Sequence, residues 1–572
     1  MRRAGWAVVA VTIGAWLALA AVLVAAWPRL NAEPGWRAAT MALTLAFSLA
    51  HQLLYSTIAE DAFVTFRYAR NIADGYGPVF NPGERVEGYS NFLWLVLITL
   101  PRAMFGGSVV TGAVVLGVLC TLGAVLLSYF LVNRMVADAQ HGGAGMRGLG
   151  VAAAALTAGV SSLAAYGPSG LETSLFVLLV LTVCYAVAAQ RPVVAGVIAA
   201  LAAMTTPDGL VVAVVVGLWL VARAARGHTT AWAPSAYALG ALVLLVPWTA
   251  WRLTFYDHPA GGGISPTERL GAGWDYLAGF ALGYQAFLLL TAAAVALLLT
   301  RRRAQDPAAA RARAVVWLPL LLAVAQSMFV GYAGGDPMPA WRLLAVVPPL
   351  LAVAAAAAYG IGIGAPSVPS PKPRAAALAR RRTVPVVAAA VCGLSLVVTT
   401  AHPRMLPAMH EWRTATGQLE QIGGWLGENL PQGSVVSAYK PGALGYRAGP
   451  ALVIVAASGR ADEHLGARAQ QPSAGAAGYP AGGDGYGGYG GYEGYDGYVV
   501  SRMPLVAVDT DTGYTAEQHC GMDPAFAGLY EVASFQRADT EQWVSLYVRR
   551  DAKRRVLELL EADGTYRHVP CA

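Results

Sequence analysis

The sequence predicts an all-α membrane domain that crosses the bilayer about eleven or twelve times, followed by a mixed α/β domain on the outer face. Three observations carry this expectation. Of 572 residues 56% are hydrophobic and only 13% charged, with a mean hydropathy of +0.49, a composition that an ordinary soluble globule cannot arrange. Apolar runs matched to roughly 30 Å of hydrocarbon recur through residues 6–401. Beyond residue 402 the composition changes: 19 acids stand against 14 bases, a net of −5, so the preceding segment must carry +12 to give the whole chain its +7.

The apolar runs lie near 6–27, 36–57, 107–133, 149–165, 171–189, 192–206, 208–222, 233–254, 276–299, 315–332, 342–364 and 384–401. Lys and Arg gather in short cytoplasmic loops. Here they gather at 300–314 and 366–382, and more weakly at Arg134 to Arg147 and Arg223 to Arg226. Alternation then places 58–106, 166–170, the Pro207–Asp208 turn, 255–275, 333–341 and everything after 402 outside. The acids agree, since eleven of the fourteen before residue 402 fall in or beside these outward segments. The first run, within an extra N-terminal segment 1–35, either spans or acts as a signal-anchor-like helix ahead of an eleven-span core at 36–401. NFLWLVLITL (91–100) is too short to span, and is expected to lie along the outer leaflet anchored by Trp94, leaving 58–106 as one long outer loop.

In the outward domain 402–572, SVVSA, ALVIVAA, YVVSRMPLVAV and WVSLYVRR read as strands between amphipathic stretches at 412–430 and 552–560. Within it, 473–498 is Gly-rich with Tyr at 486, 489, 492, 495 and 498, and is expected to be a disordered loop. Cys120, Cys184 and Cys392 fall in spans, where they pack. Cys520 and Cys571 share an oxidising compartment and can pair. No Cys/His cluster has zinc spacing, and no Walker or dinucleotide glycine motif follows a plausible strand.

Polar chemistry concentrates between Glu60 and Trp94, EDAFVTFRYARNIADGYGPVFNPGERVEGYSNFLW. Ionisable groups at a bilayer edge are costly and mark function. Asp61 is placed to cap a helix running to about Ala73 and stopped by Gly75, with Arg67, Arg70 and Asp74 along one face. Asn81, Glu84, Arg85, Glu87, Tyr89 and Asn91 crowd the loop that follows. A lipid-phosphate leaving group needs cations near the head-group plane, and a sugar acceptor needs a carboxylate to take its hydroxyl proton. The set therefore reads as glycosyl transfer from a lipid-phosphate sugar, with Glu60 or Asp61 as base. A divalent cation bridging acids and phosphate is compatible with the sequence, which does not demand one.

The order of apolar helix, acidic pair, aromatic-rich helix, long outer loop, many spans and outward C-terminal domain resembles the GT-C superfamily of polyprenyl-phosphate-sugar-dependent membrane glycosyltransferases. EDAFVTFRYARNIADGYGPVFNPGERVEG is similar to the first outer loop of the actinobacterial arabinofuranosyltransferases that use decaprenyl-phosphoryl-arabinose. The similarity continues through SGLETSLFVLLV (169–180), TTPDGL (205–210), GGDPMPAWRLLAVVPPLL (334–351) and GYRAGPALVIVAASGRADEHLGAR (445–468). The resemblance implies a transferase of the plasma membrane with its active site outside, and direct displacement at the anomeric carbon would make it inverting. The same resemblance makes Glu60 and Asp61 the catalytic acids, one of them the base, and places Glu84, Arg85, Glu87 and Asp336 on family motifs; Arg67, Arg70, Asn81 and Arg342 join them, on residue type and position, as candidates around the donor phosphate and substrate, with an interfacial anchor the competing role for Arg342. Glu172, Asp208, Asp462 and His464 are secondary candidates, each of which a capping or exposed-loop role would also explain. The implied partners are a polyprenyl-phosphate sugar, an envelope glycan or glycolipid acceptor and membrane lipids, with no nucleic acid. Two departures stand out: Glu60 occupies a place where relatives usually show Asp, and Thr206 one where many have Arg. A lipid flippase and a non-catalytic glycan-binding protein are the competing classes. A flippase would place its polar groups near the midplane, and a binding protein has no need of so many spans.

Overall fold

The computed structural model describes residues 2–137, 146–256, 266–284, 288–294, 307–363, 374–458, 461–462, 464, 497–509, 520, 526, 528–537 and 543–570. The Gly/Tyr-rich stretch as far as 496, the basic loop segments 300–306 and 366–373, and Cys571 lie outside them. The chain divides into two compact units: a helical unit of Met1–Thr57, Ala113–Thr249 and Arg269–Met409, and a mixed unit of Ile58–Gly112, Ala250–Glu268 and His410–Ala572.

Among the described residues seven helices are long and apolar enough to cross a membrane. They are Ala7–Ala25, Pro34–Tyr55, Val109–Ala137, Ala233–Phe255, Val315–Ala333, Pro339–Ile361 and Thr383–Ala401, with an eighth if Leu270–Tyr284 and Leu288–Ala294 count as one span. The chain is an integral membrane protein. Four other apolar runs form shorter helices: Gly148–Ala158, Thr173–Ala188, Pro192–Thr205 and Gly209–Ala225. The run at 149–165 breaks after Gly159, and its continuation Ser161–Tyr166 is a separate turn of helix. Helix Gly148–Ala158 and this turn are buried almost throughout; helices surrounded by protein need not each match the hydrocarbon thickness.

Close approach in this unit uses small residues, as is usual where lipid supplies no hydrophobic drive between helices. A Cβ on Gly196 would strike the Tyr237 carbonyl, and one on Gly240 would strike that of Val193. Buried polar groups pair with one another: Ser161 Oγ lies 2.8 Å from Ser395 Oγ and receives the Thr399 hydroxyl at 2.7 Å.

The mixed unit is labelled here in chain order. It opens with helices α1 (Glu60–Ala73) and α2 (Phe92–Phe105). After helix α3 (Leu406–Asn429) come β1 (Val435–Ala438), α4 (Pro441–Ala448) and β2 (Val453–Ala456). There follow α5 (Gly497–Ser501), β3 (Val506–Asp509), β4 (Tyr530–Arg537), β5 (Trp543–Arg549), α6 (Lys553–Asp563) and β6 (Tyr566–Val569). The sheet order is β2-β1-β3-β5-β4-β6, parallel across β2-β1-β3 and antiparallel beyond. Val455, Val499, Ala507, Phe526, Tyr530 and Tyr547 form one core of the sheet domain.

The expected mixed α/β domain is therefore present, with three differences in detail. YVVSRMPLVAV is a short helix and then a strand, because Pro504 cannot donate to a ladder and Met503 before it sits at φ 47. Strands β4 and β6 and helix α4 had no strong periodic signal. Within the loop, α2 runs four residues past Pro101, and Trp94 is fully buried rather than an interfacial anchor. Its outward face is Val96, Leu100, Met104 and Phe105.

Candidate active site

Helix α1 is the scaffold of the site. Its N-cap is Ala59 in an extended conformation without a side-chain cap, so Asp61 stands inside the first turn instead of capping it. Glu60 and Asp61 both occupy that first turn, where carboxylates are favoured by the helix dipole. Phe63 and Phe66 turn inward onto Tyr446, with ring centroids 5.6 and 6.1 Å away.

Arg67, one turn on, is completely buried. Its Nε donates to Phe80 O at 2.7 Å, Nη1 to Gly445 O, and Nη2 to Asn81 Oδ1 at 3.1 Å and Leu452 O at 3.0 Å. Burial, reinforced by Arg70, pushes this guanidinium down to about 9, which leaves it charged at neutral pH. Arg67 thus ties α1 to the loop and to the α4–β2 segment as a structural cation. Asn81 completes the tie: its amide donates to Ile454 O at 3.0 Å and to Glu84 at 2.9 Å, and its oxygen accepts the Ile454 N–H at 3.0 Å. Arg70 donates to Tyr446 O at 2.5 Å and lies 5.0 Å over that ring.

The GERVEG segment is held the same way. Glu84 pairs with Arg502 at 3.0 Å, Glu87 accepts from Arg252 at 2.5 Å, and Arg85 lies 5.2 Å over Phe255. Tyr68 donates to Val86 O at 2.7 Å. Asp462 is buried, and His464 stacks on Tyr498 with centroids 4.2 Å apart. These groups order the loop against the sheet domain.

The two leading acids separate in role. Glu60 Oε1 accepts the backbone N–H of Gly442 at 2.6 Å and of Ala443 at 3.3 Å. It therefore occupies the N-terminus of α4, the place where a strand-turn-helix unit commonly binds an anion. Such an approach needs glycine, since a Cβ on Gly442 would lie 2.5 Å from the Glu60 carbonyl and 2.7 Å from its carboxylate. Gly442→Ala is accordingly expected to destabilise the mixed unit by about 1–3 kcal/mol, as overpacking does, read as a lower thermal midpoint; an unchanged midpoint would mean that α4 yields freely.

Asp61 faces a cleft of ≈ 630 Å³ lined by Glu60, Asp61, Val64, Trp412, Ala415, Thr416, Leu419, Tyr439, Lys440, Pro441 and Ser458. The cleft lies just past the ends of β1, at Tyr439 and Lys440, and of β2, at Ser458, and Lys440 is the one lining cation among the described residues. Sequence reading places Trp412 only at the membrane interface, just beyond the last span, and misses Tyr439, Lys440 and Ser458. One signal was present: Lys440 is one of only three lysines in a chain whose other basic residues are all arginine.

Four further candidates meet in the helical unit. Gly334 and Gly335, at φ 92 and 79, turn the chain after helix Pro307–Ala333, and Ala340 and Trp341 also have positive φ. Backbone strain of this kind gathers at functional sites. Asp336 accepts the Met338 N–H at 2.5 Å and pairs with Arg342 at 2.8 Å, while Arg342 is 3.7 Å from Glu172. Glu172, Thr206, Asp208 and Arg342 line a second cleft of ≈ 330 Å³, and Asp208 accepts from Gln326 at 2.7 Å and from Thr206. Three carboxylates against one guanidinium leave this cluster net negative. That suits sugar hydroxyls better than phosphate.

Among the described residues no three His, Cys, Asp or Glu side chains are grouped to hold a metal ion. No step is assigned to a divalent cation.

Comparison with known structures bears on the fold. ArnT from Cupriavidus metallidurans bound to undecaprenyl phosphate is similar at a TM-score of 0.52 and 13% identity, over 90% of this chain and 98% of that one. The Archaeoglobus fulgidus oligosaccharyltransferase in its apo form is similar at a TM-score of 0.50 and 12% identity, over 90% of this chain and 75% of that one. The fold is GT-C. Residues 408–547 match the model of a family described as a domain of unknown function, DUF8728. No curated protein matches the chain. The DUF8728 match covers α3 through most of β5, so it contains every cleft residue contributed by the C-terminal part of the chain.

Proposed function

We propose that this chain is a membrane glycosyltransferase. It moves a sugar, arabinofuranose on the resemblance of its first loop, from a polyprenyl-phosphate donor to an envelope glycan or glycolipid on the outer face of the plasma membrane. The observation that carries the reading is Asp61 on a first-turn position of α1, sharing a cleft with Lys440 in a chain with the GT-C fold. The ArnT structure contains undecaprenyl phosphate, a lipid of the donor class proposed. Cys520 is disulfide-bonded, which supports an oxidising, outward location for the sheet domain, as do the basic loops assigned to the opposite side.

In this mechanism the Asp61 carboxylate takes the proton of an acceptor hydroxyl as its oxygen bonds to the anomeric carbon. The bond from that carbon to the phosphate oxygen breaks, the electron pair leaves with the polyprenyl phosphate, and the Lys440 ammonium offsets the charge. A single displacement inverts the anomeric centre. Glu60 positions α4 and thereby Lys440.

The test uses purified protein in lipid nanodiscs with synthetic polyprenyl-phosphoryl arabinofuranose, or its mannose counterpart, and an oligosaccharide acceptor. Transfer with inversion is expected. Lys440→Met should raise the donor KM about 10–100-fold, the loss of one hydrogen bond to a charged group. A Lys440→Met enzyme with unchanged donor KM and kcat would remove Lys440 from the site, and absence of transfer from either donor would overturn the assignment.

A further inference from the structure

We infer that Trp412, Thr416 and Ser458 form a subsite for one sugar ring of the acceptor, a deepening that rests on the glycosyltransferase reading. The decisive group is Ser458. Its Oγ is buried and has no hydrogen-bond partner among the described residues, although Ser458 lines the same cleft as Asp61. Buried polar groups are nearly always satisfied, and an orphaned hydroxyl costs folding free energy unless something else meets it. Ser458 lies just past the carboxyl end of β2, and Tyr439 just past that of the adjacent parallel strand β1. In open parallel sheets, ligands bind beyond the carboxyl ends of the strands, where the strand order reverses. Here the order reverses at β1, which has β2 on one side and β3 on the other.

The opposite wall is α3. Ala415 and Thr416 lie three and four residues after Trp412, and Leu419 four and three after them, so the four share a face. An indole, a buried threonine hydroxyl and an unsatisfied serine hydroxyl around one cleft match a ligand with an apolar face and a rim of hydroxyls. That is the chemistry of a carbohydrate ring, whose C–H face stacks on aromatics while its hydroxyls exchange hydrogen bonds. The ring belongs to the acceptor because the base that must reach the acceptor hydroxyl, Asp61, lines the same space.

The experiment reads binding without donor, so it does not depend on turnover. Full-length protein in nanodiscs is titrated with a synthetic arabinofuranosyl tetrasaccharide and a mannopyranosyl tetrasaccharide, followed by saturation-transfer NMR. The wild type should bind at least one of them. Ser458→Ala should weaken that binding about 3–10-fold, one neutral hydrogen bond, while leaving the thermal midpoint unchanged or raised because an orphaned hydroxyl has gone. Trp412→Leu should weaken it about tenfold, and Trp412→Tyr, which keeps an aromatic face, should restore most of it. If the wild type binds neither oligosaccharide, or if Ser458→Ala and Trp412→Leu bind as the wild type does, the subsite is refuted. Intact binding with no transfer from any polyprenyl-phosphate donor would overturn the glycosyltransferase reading and leave the sugar subsite standing.

Discussion

Asp61→Asn should reduce kcat for glycosyl transfer about 10²–10⁴-fold, the usual contribution of a positioned general base, with little change in folding or in donor KM. Glu60→Gln should behave differently. The amide keeps an oxygen that can accept the Gly442 and Ala443 N–H groups, now contacted by Glu60 Oε1 at 2.6 and 3.3 Å. What is lost is a negative charge at a helix N-terminus, about 0.3–1 kcal/mol, so Glu60→Gln should retain activity within several-fold. Glu60→Ala removes the acceptor altogether and should cost more. If Glu60→Gln is as inactive as Asp61→Asn while both remain folded, the division of roles between the two acids is wrong.

Arg67→Met should be the most destabilising single change in the mixed unit. The guanidinium is fully buried and bonds three backbone carbonyls, those of Phe80, Gly445 and Leu452, besides Asn81. Removing one partner from such a buried arrangement typically costs about 3–5 kcal/mol, read as a lower thermal midpoint of protein in nanodiscs or as loss of folded yield. Arg67→Lys should rescue little, because one ammonium cannot reach carbonyls on several sides as the planar fork does. Were Arg67→Met close to wild type in stability but deficient in donor binding, the guanidinium would belong to the substrate site after all.

The fold class was legible because composition and the repeated apolar runs are strong, redundant signals. The number of spans was less so. Gly159 and the Pro207–Asp208 turn divide apolar sequence into helices shorter than a bilayer, and hydropathy alone does not show which helices protein surrounds. The importance of Glu60–Trp94 was visible in its density of polar groups. Their roles were not, because a buried structural arginine such as Arg67 and a phosphate-binding arginine look alike in sequence. What separates them is the set of carbonyls 13 to 385 positions away that meet Arg67. Lys440 and Ser458 were hidden for the complementary reason. Each lies just past the end of a four-residue strand, and only the pairing of β1 with β2 shows that the two strand ends face one cleft. Asp336, Arg342, Glu172 and Asp208 were each identifiable as acids or bases at helix ends, and the fold shows that three separate stretches of sequence meet in one cluster.

The account requires the loop that bears Asp61 to face the outside of the cell, where a polyprenyl-linked sugar and an envelope acceptor can meet it. Tyr76, 51% exposed in that loop, is a suitable reporter position. Tyr76→Cys should react with a membrane-impermeant maleimide in intact cells, and a cysteine introduced in the basic loop at 366–382 should react only after permeabilisation. The reverse pattern, with position 76 protected until the membrane is opened, would place Asp61 on the cytoplasmic side and contradict the proposed reaction.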